Sequence, residues 1–456
     1  MAQLDNIIVV IALPTMRREL KLDYAQLEWV VSSYILVFAS LMLFGGRMAD
    51  RFGKRSIFLL GLVLFSSSSL VAGLAANEYV LLSGRAGQGV GAALIMPAAL
   101  AILSRAFPDD RERGFAVGFW GTAIGASLAV GPPLGGLISQ QWFWGGVFLV
   151  NVPVGALAIV VGIYAIAPSE DQKMTERLDL PGVALSFIGL FGITYALIES
   201  NYVGWVSVSI IMPLAVALLA WLFFGAVEAR IEAPMIDFVI FRDRVYTGGV
   251  LAVFFWAFAI SGIAAFTSLC LQDVLNLSPT VAGLSYLPMA LLMMVVAPLS
   301  GPLAQHLGVP LTVALGYIMT AGGVIWLISL HARSRVIDVL PEFVLIGIGS
   351  GLTMPMQSAV IGALSSRWAG AASGVLNAAR EVAALLGLAA VSAILAERRS
   401  AALAHGATQT AAFLDGYRAG LVVATIALLV GSGVAALSLS TGIGRRMAKV
   451  LWNESR

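Results

Sequence analysis

Charged residues are rare in this sequence. Only 11% of its 456 residues are charged, against roughly 25% in a soluble domain, whereas 59% are hydrophobic. The longest polar stretches, near 168–178, 229–246 and 397–416, have the length of loops and leave no room for a soluble domain. We therefore predict an all-α, multi-pass protein of the cytoplasmic membrane, with the lipid bilayer as its surroundings.

Residue types that serve redox, metal and nucleotide chemistry are also scarce. The single cysteine, Cys270, excludes an intramolecular disulfide, and His306, His331 and His405 form no cluster at metal-ligand spacing. The run 52–55 has Arg55 where a phosphate-binding loop needs Ser or Thr. We therefore expect no enzyme, no metal, no cofactor, no nucleotide and no nucleic-acid partner.

Apolar stretches of about 20 residues, the length of a membrane-spanning helix, recur along the whole chain. We count fourteen such spans, the first of them short. They lie near 2–16, 27–45, 57–76, 80–104, 114–138, 147–167, 179–199, 207–228, 246–270, 280–302, 309–331, 338–364, 371–395 and 416–440.

The distribution of positive charge predicts the orientation of the chain. If the N-terminus is cytoplasmic, the inner loops and the C-terminal tail hold about two thirds of the 27 Lys and Arg residues. Both termini are therefore expected in the cytoplasm.

An internal repeat relates the two ends of the chain. The segment Gly46–Gly61 aligns with Gly301–Gly316 at an offset of 255, and two further blocks align at nearly the same offset. This pattern predicts two homologous bundles with a site between them at mid-membrane. The expected division is an N-terminal six-span bundle at 1–168, two inserted spans with their flanking loops at 169–245, and a C-terminal six-span bundle with a short tail at 246–456.

A basic segment, residues 45–55, separates the second apolar run from the third. Four cations and one carboxylate lie there, and each would cost about 2.5–3.5 kcal/mol at the bilayer centre. We therefore predict a water-facing turn. An ordinary basic loop would explain these charges but not their Gly-x-x-x-Asp-Arg-x-Gly-Lys-Arg spacing, which closely resembles the loop between the second and third helices of the major facilitator superfamily. The resemblance implies a conformational latch formed by Gly46, Asp50, Arg51, Gly53, Lys54 and Arg55.

The first apolar stretch resembles one branch of this superfamily. Residues 4–14 are similar to the start of the fourteen-span drug:proton antiporters, with Asp5 at the acidic position and with Ile7 and Val10 in place of the usual Thr and Asn. Asp5 is thus a candidate for proton coupling, the alternative being an interfacial carboxylate. Only four residues precede it, where a full span carries roughly ten more, so we expect the true start of the protein to lie upstream.

The fifth span contains closely spaced glycines and prolines. Gly121 and Gly125 are followed by Gly131, Pro132, Pro133, Leu134, Gly135 and Gly136, a run that resembles the antiporter motif of drug exporters. Small residues at four-residue spacing let helices approach closely, and proline interrupts the helical hydrogen bonds. The resemblance implies a role in antiport, whereas tight packing alone is the plain structural alternative.

Two further spans carry charges. Arg85 in span 4 is costly in the membrane unless it is paired or faces an aqueous cavity, and its surroundings resemble a superfamily motif whose arginine is implicated in proton coupling. A fixed cation near Asp5 would favour release of the Asp5 proton. The alternative is an arginine that reaches an interface.

Arg380 and Glu381 are adjacent in span 13, roughly 100° apart around the helix, so they need not pair with each other. Glu381 is either a second proton carrier or an interhelical tether to Arg85 or Asn377. The resemblance as a whole implies a proton-coupled exporter of small amphipathic or lipophilic, cationic drugs. The alternatives are an exporter of an endogenous lipid, siderophore or metabolite, and a membrane sensor or assembly protein that does not transport.

Overall fold

A computed structural model describes residues 1–106, 126–127, 129–166, 179–231, 238–364 and 369–454, and the regular elements within these ranges are all helical. A 3₁₀ turn, Phe238–Arg242, precedes α10, and a π-helical turn, Cys270–Val274, follows it. The helices in chain order are α1 Ala2–Leu20, α2 Tyr24–Phe52, α3 Lys54–Gly73, α4 Glu78–Ala106, α5 129–141, α6 Gly146–Leu149, α7 Asn151–Ala165, α8 Leu180–Val203, α9 Val208–Glu228, α10 Arg244–Leu269, α11 Pro279–Ser285, α12 Leu287–Leu307, α13 Val309–Ile328, α14 Val336–Leu352, α15 Pro355–Ile361, α16 Ala369–Ala404 and α17 Gln409–Glu454.

The expected count of fourteen spans is not supported. Among the described residues, 12 helical segments are long and apolar enough to cross a membrane. Helix α1 is not one of them, because Asp5, Arg17, Arg18 and Glu19 place charges at both of its ends. The span expected near 114–138 falls partly on residues outside the described ranges.

Short polar side chains begin several of these helices. Asp23 starts α2 with a capping box: its carboxylate accepts from the Gln26 backbone N–H at 2.8 Å, and the Gln26 side chain accepts from the Asp23 N–H at 2.8 Å. Asp243 starts α10 by accepting from two backbone N–H groups. These side chains satisfy donors that a helix start leaves unpaired, so the sequence itself sets where the spans begin.

The helices pack in two groups. In the first group, α2, α3 and α4 pack on one another and α7 packs on α3. In the second group, α10 packs on α16 and α17, and α13 packs on α14 and α17. The groups meet along a seam where α1 contacts α10 and α11, and where α2 contacts α16. Helix α8 packs on both α2 and α16, so it covers this seam, and α9 packs on α8.

The predicted turn in the basic segment 45–55 consists of a single residue. Helix α2 continues through Arg51 to Phe52, and a single residue, Gly53, separates it from α3. Gly53 has φ +95°, a conformation that glycine adopts at little cost, so one residue suffices to reverse the chain. Gly308, which the repeat aligns with Gly53, joins α12 to α13 in the same way with φ +84°.

Glycines also set the closest helix crossings. On α16, a Cβ added at Gly387 would collide with the backbone carbonyl of Phe258 on α10. The Gly387 carbonyl oxygen in turn lies 2.9 Å from where a Cβ of Gly262 would be. The backbones of α10 and α16 touch at this point, as small residues allow in membrane helices.

Substitution of Gly387 by Leu is therefore expected to lower the free energy of unfolding by roughly 1–3 kcal/mol, because the backbone atoms in contact cannot move aside as a side chain would. Gly322 on α13 has no atom within 4 Å of its added Cβ, so Gly322→Leu is the matched control and should keep wild-type stability. Thermal unfolding in detergent measures both. Equal losses in the two variants would contradict the backbone contact.

Candidate functional site

Asp5 and Arg85 form a fully buried ion pair. Arg85 Nη1 donates to Asp5 Oδ2 at 2.6 Å, and both side chains have no solvent exposure. The other carboxylate oxygen, Oδ1, accepts from Gln88 Nε2 at 2.9 Å and from Asn151 Nδ2 at 2.6 Å. Arg85 Nε donates to the Val30 carbonyl at 2.8 Å. Helices α1, α2, α4 and α7 thus meet at one ion pair.

Aromatic rings surround the guanidinium of this pair. Its Cζ lies 4.5 Å from the ring centroid of Tyr34 and 5.7 Å from that of Phe148. Such cation–π contacts are strongest when the cation is shielded from water. Gln88 extends the network by donating to Ser69 at 2.7 Å, and Ser69 donates to the Phe65 carbonyl at 2.7 Å.

The donors around Asp5 suit an ionised carboxylate, which only accepts hydrogen bonds. Burial of an ion pair is costly unless the remaining lone pairs are satisfied, and here each oxygen has at least one donor. Separation of Asp5 from Arg85 would remove this stabilisation of the carboxylate and favour its protonated form.

Arg380 and Glu381 are outside this network. Their separation around the helix does not require them to pair, but they do pair with each other, with Arg380 Nη2 at 3.3 Å from Glu381 Oε1. The expected tether to Arg85 or Asn377 is replaced by other contacts, since Asn377 donates to the Ser373 carbonyl at 2.9 Å and Glu381 accepts from the Arg380 guanidinium. A side-chain rotamer brings the two charges together in spite of their separation around the helix.

The glycine–proline run of α5 lies against both groups of helices. A Cβ added at Gly131 would lie 2.9 Å from Ile7, and one at Gly135 would lie 2.8 Å from the Ile8 carbonyl oxygen, so the run packs on α1 next to Asp5. A Cβ at Gly136 would collide with the Pro279 carbonyl of α11. Pro132 is itself the backbone neighbour of Gly283 on α11. Gly121 and Gly125 lie outside the described residues.

The proposed latch residues lie at the other end of the same helices. Arg55 Nη2 donates to the Ile163 carbonyl at 2.5 Å, which ties the start of α3 to the end of α7. A Cβ at Gly46 would lie 3.6 Å from Pro97 of α4, an ordinary packing contact. Asp50, Arg51 and Lys54 are in the last turn of α2 and the first of α3, so the structure separates these residues from the Asp5 site.

Polar contacts hold the two groups of helices together at the end of the molecule where α1 ends. Arg17 pairs with Asp273 at 2.8 Å, and the Gln272 side chain donates to the Ile11 carbonyl at 2.9 Å. The Thr280 backbone N–H donates to Gln140 at 3.3 Å. The seam is closed at this end.

Several functional candidates escaped the sequence analysis. Gln88, Asn151 and Tyr34 complete the Asp5 site, and only the tertiary fold brings them there. Glu28 and Glu342 are buried carboxylates within spans, 4% and 0% exposed. A carboxylate inside an apolar span is itself a signal of function, and both residues carry that signal in the sequence.

Solved membrane transporters share this helical fold. A crystal structure of a peptide transporter POT variant superposes with a TM-score of 0.65 at 18% identity, covering 96% of this chain and 93% of that one. A bacterial homologue of the human lysosomal transporter Spinster, in an inward-facing and occupied conformation, gives 0.63 at 19% identity over 96% and 93%.

Sequence relatives agree with the fold. Multidrug resistance protein Stp of Mycobacterium tuberculosis is 34% identical over 401 residues, 88% of this chain and 74% of that protein. Puromycin resistance protein pur8 of Streptomyces alboniger is 34% identical over 433 residues, 94% and 86%. Cephamycin export protein CmcT of Amycolatopsis lactamdurans is 37% identical over 390 residues, 84% and 80%.

The family model of the Major Facilitator Superfamily matches residues 1–388, and the chain belongs to this family of transporters. It is a multi-pass membrane transport protein and not an enzyme.

Proposed function

We propose that the protein is a secondary active exporter that exchanges protons for amphipathic or lipophilic, cationic compounds across the cytoplasmic membrane. The buried Asp5–Arg85 pair, at the meeting point of α1, α2, α4 and α7, is the observation that carries the proposal. The names of the relatives, which refer to resistance and export, support the direction of transport. No cofactor is needed, because the proton gradient supplies the energy.

In this proposal, the seam between the two groups of helices opens alternately to the two sides. A proton from outside binds Asp5 when α1 moves away from Arg85, and a cationic substrate from inside favours the opposite state. Transport follows because each ligand binds the two states with different affinity. Arg380 and Glu381, on the C-terminal side of the seam, add a second charged pair to this cycle.

The arrangement in the membrane is part of the proposal. We place six-span bundles at 1–168 and 246–456 and the inserted pair α8 and α9 at 169–245, with both termini in the cytoplasm. Helices α1 and α5 would then join the 12 apolar segments to complete fourteen spans. The contact of α8 with both α2 and α16 supports an insertion that was added on the outside of the seam.

The test of the proposal uses the purified protein in liposomes with an imposed pH gradient and a pH-sensitive dye. Addition of lipophilic cations is expected to release protons in a manner that depends on both the compound and the protein. A proton flux that is the same in protein-free liposomes, for every cation tried, would contradict drug:proton antiport.

Export of an endogenous metabolite is the second candidate. It is favoured by relatives named for export of tetracenomycin C and of cephamycin, which are natural products. A binding screen of the purified protein against extracts of its native cells distinguishes the two candidates. Saturable binding of an endogenous lipid, siderophore or metabolite, with no response to the lipophilic cations, would favour this second function.

The latch at 46–55 gives a further prediction. Asp50→Asn should leave the fold intact, because Asp50 lies in the last turn of α2 near the helix end, and should slow transport by removing the charge that holds the outward-facing state. Asp415→Asn, at an exposed position of α17, is the matched control. Efflux rates in liposomes measure both. Wild-type rates in Asp50→Asn would refute the latch.

A further inference from the structure

Glu28 is a second carboxylate within the seam, separate from Asp5. It lies on α2, is 4% exposed, and is next to Ser392 of α16, the helix that α2 meets across the seam. Its Oε1 accepts no hydrogen bond, and no cation pairs with it among the described residues. The described residues therefore place no cation against a negative charge at Glu28.

The surroundings of Glu28 are apolar. It borders a small cavity whose other walls come from α1, α2, α10 and α16. The titratable groups nearest to it are Tyr24, which also lines this cavity, and Glu199 of α8, which accepts from the Trp29 indole N–H at 3.2 Å. The apolar lining is formed by Leu13, Leu27, Val31, Phe266, Leu269 and Leu388.

The Glu28 cavity has a neighbour at the end of the molecule where α1 ends, and the two share one lining residue. Tyr24 lines both the Glu28 cavity and an open polar cleft of about 500 Å³. The Arg17 guanidinium lies 4.8 Å and that of Arg399 4.4 Å from the Tyr24 ring centroid, and Arg17 also pairs with Asp273. Tyr24, held by these two cations, separates Glu28 from the cleft.

We propose that Glu28 is a second proton-binding site of the transport cycle, filled from the cleft when Tyr24 and the Arg17–Asp273 pair separate. This inference rests on the proposed proton-coupled function. In the closed state Glu28 is a neutral carboxylic acid, since an unpaired carboxylate would be uncompensated there and Glu199 adds a second acidic group nearby. Asp5, with Arg85 beside it, is ionised in the same state.

The proton balance of the step is simple. Water in the outer cleft gives one proton to the Glu28 carboxylate, which becomes a carboxylic acid and allows the seam to close around a neutral group. When the seam opens to the other side, water accepts that proton and Glu28 becomes a carboxylate again. One proton per cycle moves through Glu28, in addition to that carried by Asp5.

Infrared difference spectroscopy tests the protonation of Glu28 without any transport assay. The full-length protein in lipid at neutral pH should show a carbonyl band of a protonated carboxyl group that Glu28→Gln lacks. Ser392→Ala, which removes the neighbouring hydroxyl but leaves the acid in place, should shift this band without abolishing it. Identical spectra of the wild type and Glu28→Gln in this region would overturn the proposal.

A transport measurement then tests the role of the proton. With tetraphenylphosphonium as the probe in liposomes, Glu28→Gln should lose accumulation driven by a pH gradient, whereas exchange of labelled for unlabelled probe without a gradient continues. Gradient-driven accumulation at the wild-type level in Glu28→Gln would overturn the carrier role. If the wild type transports no cation, the proposed function fails, and the infrared result still decides whether Glu28 holds a proton.

Discussion

Replacement of Asp5 by Asn is expected to abolish proton-driven transport while the fold survives. Asn has nearly the same shape, and its oxygen can still accept from Arg85, which donates to Asp5 at 2.6 Å in the wild type. It cannot bind a proton in the working range of pH. A ligand shifts a conformational equilibrium only if it binds the two states with different affinity. Because no proton binds at this site in the variant, a pH gradient cannot shift the equilibrium through it.

The assay for Asp5→Asn is accumulation of a lipophilic cation in liposomes, with and without a pH gradient. We expect the gradient-dependent part to vanish and the gradient-free exchange to continue. Asp415→Asn, an exposed change of the same chemistry on α17, should behave as the wild type. Gradient-driven accumulation that persists in Asp5→Asn would rule out a proton-coupling role for Asp5.

Replacement of Arg85 by Gln is expected to destabilise the protein strongly. The variant leaves the Asp5 carboxylate fully buried with only the amides of Gln88 and Asn151 as donors, and it removes the cation from the Tyr34 ring. Breaking a buried ion pair by removing one partner costs roughly 3–5 kcal/mol. Thermal unfolding in detergent and the yield of monodisperse protein measure the loss.

A double-mutant cycle separates the ion pair from other contributions of Arg85. If the cost of Arg85→Gln comes from the stranded carboxylate, the double variant Asp5→Asn with Arg85→Gln should recover most of the lost stability. Arg333→Gln, at an exposed position between α13 and α14, is the control for loss of a positive charge and should be neutral. A double variant no more stable than Arg85→Gln alone would mean that packing of the arginine, and not its charge, supports the fold.

Much of the fold could be predicted from the chain itself. Apolar stretches near 20 residues located most of the spans, because an isolated membrane helix must be apolar over about 30 Å whatever its neighbours are. The repeat was visible for a similar reason: Gly53 and Gly308 each permit a one-residue reversal between helices, which requires positive φ and hence glycine. Asp5 and Arg85 were found because a charge within a span is costly and therefore conspicuous.

The errors have physical causes as well. The charges of 45–55 predict a water-facing turn, but most of these residues lie in helices. Arg47 and Arg51 are in the last turns of α2, because long basic side chains can reach water from the end of a helix. Two of the fourteen expected spans are not among the 12 apolar segments. Helix α1 carries charges at both ends, and the span expected near 114–138 lies partly outside the described residues. Glu28 lies only one turn beyond the Asp23 cap, and a position so near the start of a helix gives no sign in the sequence that the side chain is buried.

The order of residues along the chain is enough to identify a helical membrane protein, to locate most of its helices and to show which charged groups are costly enough to need a function. Which of those groups meet depends on tertiary packing. Asp5, Arg85, Gln88 and Asn151 are as much as 146 positions apart, and their contact depends on how α1, α4 and α7 pack. The same holds for Glu28, because periodicity along one helix reports which faces are apolar but carries no information about which helix lies opposite.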